Sequence, residues 1–108
     1  MPTFMLMSRH TPADCPVNNP EHLKVTVEGM SQMEALAKKH GVKIIGTWNA
    51  HPEHLVVQVV EAPNLESYMA MWMEPAMTAM LDYTTSEFKA VLTAPEIAQI
   101  LKQRMQQK

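Results

Sequence analysis

Apolar and polar positions along the chain fall into stretches of two-residue period and stretches of helical period. Residues 3–10 place Phe4, Leu6 and Ser8 on one face and Met5, Met7 and Arg9 on the other. Apolar residues on both faces predict a central strand covered from both sides. Asn19 followed by Pro20 is a capping residue before a first-turn proline. From there to His40, Leu23, Val27, Met30, Met33 and Ala37 recur at helical spacing. Gly29 weakens the middle of that helix, and Gly41 suits the position beyond its end, where φ is positive. Residues 42–49 alternate again, with Val42, Ile44, Gly46 and Trp48 on one face and Ile45 and Thr47 on the other. A turn at 50–53 leads into 54–61, nearly continuous in valine, which predicts an antiparallel hairpin. Asn64 caps a second helix through Leu65, Tyr68, Met69, Trp72 and Met73. Pro75 interrupts it and starts a short helix with Met77, Met80 and Leu81. Residues 87–92 form a fourth strand. Thr93-Ala94-Pro95-Glu96 has capping-box spacing and opens a C-terminal helix over 95–106, with Ile97, Ile100, Leu101 and Met105 on one face.

The order β-α-β-β-α-β predicts a ferredoxin-like α+β domain with a four-stranded antiparallel sheet and an extra C-terminal helix. One domain spans 1–108, with a core over 3–92 and the appended helix over 95–106. Two helices cover one face of such a sheet, yet the strands are apolar on both sides. The uncovered face calls for a partner, most simply a second copy stacked sheet on sheet. The C-terminal helix is a further surface able to grip a partner.

Composition narrows the function classes. The formal net charge is −2, which gives no electrostatic case for nucleic acid or an anionic membrane. No apolar run is long enough to span a bilayer, and the apolar N-terminus lacks the basic start and cleavage site of a signal peptide. A single cysteine, Cys15, fits a reducing cytoplasm.

The strand pattern, Gly41-Val42-Lys43-Ile44-Ile45-Gly46-Thr47-Trp48 leading into the hairpin, and Glu61-Ala62-Pro63-Asn64 opening the second helix carry a resemblance. Over roughly 3–92 the chain resembles the dimeric α/β-barrel superfamily, in particular its small proteins of unknown function, near the nickel-binding type. The resemblance implies a homodimer joined through the sheet. It leaves several activities open, because members include cofactor-free monooxygenases, isomerases, haem-handling enzymes and nickel-binding proteins. The loop 9–20 matches no catalytic signature of the group.

The topology itself gathers chemistry. The first strand ends where the second ends and the third begins, and the first and third strands are antiparallel neighbours. His10 is therefore expected beside His54, with Cys15, His22, Trp48, His51, Asp82 and Tyr83 at the same end and His40 at the other. Imidazole and thiolate donors suit a divalent transition metal such as Ni, Zn or Cu. His10 and His54 are the first-choice ligands, with Cys15 and His51 as helpers. His22 reads as a solvated surface residue. The same histidines could instead serve as a general base for an isomerase or cofactor-free oxygenase acting on a small apolar or aromatic substrate, or as an axial haem ligand. Cys15 could be a nucleophile, but a half-buried loop cysteine is the simpler reading. Trp48, Trp72, Tyr83 and Arg9 are the expected substrate-pocket residues, with Tyr68 and Asp82 nearby. Met69, Met73, Met77 and Met80 invite copper, but their spacing favours a core stripe. Whether the protein is an enzyme stays open at this point.

Overall fold

A computed structural model of the chain describes residues 1–107. Strand β1 (Thr3–Arg9) leads through a 3-10 turn at Pro12–Asp14 into helix α1 (Pro20–Lys39). Strand β2 (Lys43–Ala50), a 3-10 turn at His51–Glu53 and strand β3 (Leu55–Glu61) form the hairpin. Helices α2 (Leu65–Trp72) and α3 (Pro75–Leu81) precede strand β4 (Thr85–Val91), and helix α4 (Ala94–Gln106) ends the chain. The four strands form one sheet in the order β2-β3-β1-β4, and every pair is antiparallel. This is the ferredoxin-like arrangement.

The caps lie where the sequence places them. The Asn19 side chain accepts from the His22 N–H, Asn64 accepts from Ser67, and Thr93 and Glu96 form a complete capping box. Gly41 sits at φ 70°, the left-handed conformation that ends α1. Pro75 separates α2 from α3, and the Thr78 hydroxyl donates to the Trp72 carbonyl across the break at 2.6 Å. Glu74, at that break, accepts from Lys39 at 2.8 Å and from His40 at 2.7 Å, which ties it to the end of α1.

Phe4, Leu6, Val60, Tyr68, Met71 and Met77 centre the core between sheet and helices. Three expectations about which residues face it need correction. On α1 the inward positions are Val25, Gly29, Met33, Leu36 and Ala37, whereas Leu23, Val27 and Met30 are exposed. Gly29 faces α3 so closely that an added Cβ would lie 3.0 Å from the Ala76 carbonyl oxygen. A residue read as a weak point in the helix is thus where two helices meet. Met69 and Met73 are exposed, and Met71 takes the core place beside Met77 and Met80. On β2 a bulge between Ile44 and Gly46 shifts the register. Ile44 faces the core opposite Val60, but Gly46 and Trp48 pair with Val59 and Val57 and point away from the helices with Met5 and Met7. β4 also begins earlier than expected, at Thr85.

Candidate functional site at the open end of the sheet

His10 directly follows β1, and its N–H donates to the His54 carbonyl at 3.2 Å, one step beyond the Arg9–Leu55 pair. His54 closes the 3-10 turn before β3 with φ 52° and ψ 44°, a left-handed conformation in which, glycine apart, Asn, Asp and His are the enriched residues. The two rings lie 5.2 Å apart at 70°. Cys15 arrives from the other side. Thr11 caps the turn Pro12–Asp14, the Cys15 N–H donates to the Pro12 carbonyl, and the Cys15 carbonyl accepts from Asn18 and Asn19, both at 2.9 Å. This chain of turns, fixed by prolines, delivers Cys15 to a position only 1% exposed just before α1 begins.

One donor atom from each of His10, Cys15 and His54 lies within 4.8 Å of the other two. His10 Nε2 and His54 Nδ1 are buried and have no hydrogen-bond partner among the described residues. A buried polar atom without a partner costs about 1–3 kcal/mol, so one on each of two neighbouring imidazoles, in a cluster with a buried cysteine, marks an arrangement suited to bind something. Two imidazole nitrogens and a thiolate are ligands for Zn, Ni or Cu.

The other predicted residues sort around this trio. His51 is exposed, with its ring 5.6 Å from that of His54 but outside the trio. His22 is not a free surface residue: its Nδ1 donates to the Asp14 carbonyl at 2.7 Å, and its ring stacks on Tyr83 at 4.0 Å. The Tyr83 hydroxyl is hydrogen-bonded to Thr26, and burial raises its pKa. His40 lies at the far end, paired with Glu74.

A cavity of about 380 Å³ adjoins the trio. Leu6, Met30, Met33, Trp72, Met80 and Leu81 form much of its wall; His10, Cys15, His51 and Tyr83 also line it. Trp48 borders it while its ring lies along Gly46 and stays 56% exposed. Arg9 is exposed and does not line it, because alternation turns Arg9 away from Ser8 and His10. Asp82 is likewise exposed. The cavity also meets Gln58, which the sequence reading missed. Gln58 is buried opposite Leu6, accepts from the Tyr68 hydroxyl at 2.6 Å and donates to Thr47 at 3.0 Å. Burial raises the Tyr68 pKa strongly, which keeps it a neutral donor. The signal was present: one polar residue at an inward position of a strand otherwise made of leucine, valine and a final glutamate.

Burial, and next the charge of His54, lowers the His10 pKa below 6.5. The unfolded chain then binds the proton more readily than the metal-free folded chain. The resulting stabilisation is complete above about pH 6.5 and is lost as pH falls toward the folded value. Urea midpoints of metal-free protein between about pH 5 and 8 should fall on the acid side, and His10→Gln should flatten that slope.

No protein-family model matches the chain, and no curated protein matches it. Solved structures do. Muconolactone isomerase matches with a TM-score of 0.56 at 12% identity, covering 86% of this chain and 91% of that one. A protein of Agrobacterium tumefaciens, described as a NIPSNAP-family protein of unknown function, matches with a TM-score of 0.52 at 20% identity over 85% and 93% of the two chains. SnoaB, a cofactor-independent oxygenase from Streptomyces nogalater, matches with a TM-score of 0.51 at 18% identity over 87% and 96%. At these identities the likeness establishes the fold, that of the dimeric α/β-barrel, ferredoxin-like proteins, and leaves the chemistry to the site.

Proposed function

We propose that the protein is a homodimeric metal-binding protein that holds a borderline or soft transition metal, Ni, Zn or Cu, through His10, His54 and Cys15. The observation that carries this reading is the pair of buried, unpartnered imidazole nitrogens beside a buried thiol. The lowered His10 pKa supports it, because a metal binds the neutral ring. Three protein donors leave a coordination position free, as in catalytic and sensing sites rather than closed structural ones. His51 is an auxiliary at the rim. The apolar sheet face around Met5, Met7, Val57 and Val59 favours a second copy, and the single cysteine fits a cytoplasmic setting.

The test is metal analysis of untagged protein, followed by titration of the metal-free form with Zn, Ni and Cu. One equivalent per chain and a raised melting temperature are expected. No stoichiometric metal together with unchanged melting in all three would end the proposal.

The cavity favours a second reading, an isomerase or cofactor-free oxygenase with His10 as general base toward a small apolar substrate. The fold likeness to muconolactone isomerase and SnoaB allows it. Haem ligation is less favoured: the imidazole nitrogens converge with Cys15 rather than standing alone before an open slot.

A further inference from the structure

Helix α4 is well formed but touches little. Its capping box is complete, none of its residues is buried, and Ile97, Ile100, Leu101 and Met105 are 43%, 50%, 57% and 77% exposed. A helix of thirteen residues is marginal in water unless its apolar face is covered. The chain measures 59 Å in one direction against 31 and 17 Å in the others, in keeping with a projecting arm.

A second uncovered apolar surface lies elsewhere. An open groove of about 910 Å³ runs between α1 and the edge strand β2, with Met30, Met33, Ala37, Val42 and Ile44 along its floor and sides. Glu34, Lys38 and Lys43 line it as well.

In this structure the arm does not lie in its own groove: α4 packs closely on no other element. It leaves β4 at one edge of the sheet, and the groove flanks β2 at the opposite edge, three strand spacings or about 14 Å away. The link between β4 and α4 is Leu92 and Thr93, which spans at most about 7 Å. We propose that α4 of each copy seats in the α1–β2 groove of a second copy, so that two arms are exchanged in the dimer.

Several features fit this occupant. The arm is about 20 Å long, enough to cover the groove from Met30 to Lys38. Its Lys102 and Arg104 can meet Glu34, and Glu96 can meet Lys38 or Lys43, so both signs of charge find a partner. Val91 pairs with Thr3, and Lys43 pairs with Glu61, which itself pairs with Thr3; arm and groove therefore lie at the same end of the sheet. Met30 belongs to both the groove and the wall of the His10–Cys15 cavity. A seated arm therefore covers the outside of that wall, and each copy completes the site of the other. This goes beyond sheet-on-sheet pairing, which needs no arm, and does not depend on the metal reading.

The test is a mixing experiment with full-length protein. One batch carries Leu101→Cys and the other Ala35→Cys or Lys38→Cys, all at exposed positions. Mild oxidation of the mixture should give a disulfide-linked dimer of one chain of each kind. Adding Ile97→Lys and Ile100→Lys to the arm should suppress that species by at least about tenfold, while circular dichroism shows the core still folded. Failure of both groove positions to cross-link, a cross-link that survives the lysine substitutions, or a monomeric mass in sedimentation equilibrium would each overturn the proposal. So would an intrachain link in dilute protein carrying both cysteines.

Discussion

His54→Asn will lower the affinity for Zn, Ni and Cu by at least about 100-fold, as read by calorimetric titration of metal-free protein. Loss of a group that merely orients a ligand costs 10- to 100-fold, and His54 is proposed to be a ligand itself. Asparagine is the right replacement because it tolerates the left-handed backbone at φ 52°. His54→Ala removes the donor as well, but its side chain lacks the polar group that lets asparagine bond locally in the left-handed conformation. His10→Gln and Cys15→Ser should act in the same direction as His54→Asn. His51→Ala should change affinity little, since its ring is exposed and outside the cluster. Wild-type affinity in the His54→Asn protein would refute the ligand assignment even if the protein binds metal somewhere.

Gln58→Leu is the second large effect, and it falls on stability. The Tyr68 hydroxyl donates to Gln58 at 2.6 Å, and both side chains are essentially buried. Leucine leaves that hydroxyl without its acceptor, a loss of about 1–3 kcal/mol. For a domain of this size each kcal/mol lowers the melting temperature by about 4–8 °C. Tyr68→Phe should act in the same direction, because it leaves the buried Gln58 carbonyl oxygen without its donor. The double variant should be more stable than the sum of the single losses predicts, and a thermal-melt double-mutant cycle measures that coupling. Simple additivity would mean that the Gln58–Tyr68 bond contributes little.

Much of the fold was legible because its signals are local. Asn19-Pro20, Asn64, Pro75 and the Thr93–Glu96 box each act within a turn, and each marks a helix end in the structure. The pairing of His10 with His54 was legible because strand order follows from the β-α-β-β-α-β sequence alone. What failed were the faces. Helix α1 carries two apolar stripes, Leu23–Val27–Met30 and Val25–Gly29–Met33–Leu36, and periodicity cannot say which is inside. Packing decides: Gly29 lets α3 approach, and the other stripe is left outside. Trp48 takes the opposite face from Ile44 because one extra residue at Ile45 reverses every later position on β2, and Gly46, a glycine inside a strand, is the sign of that bulge in the sequence. Arg9, expected to orient a polar substrate, stands outside the pocket because alternation places it on the face opposite Ser8.

The break at Pro75 gives the cavity an uneven wall. Trp72 belongs to α2 and Met80 to α3, so neighbouring parts of one wall sit on two short helices rather than a continuous rod. A continuous helix would yield only by bending along its length or by unfolding with the core. α3 is fixed on α1 at Gly29 and buries Met77 in the core, while α2 is fixed by Tyr68 and Met71, so the two parts of the wall are anchored separately. Amide-exchange protection that differs between α2 and α3 is the pattern such a divided wall produces. Either part can then shift without unfolding the other, at a free energy below that of global unfolding.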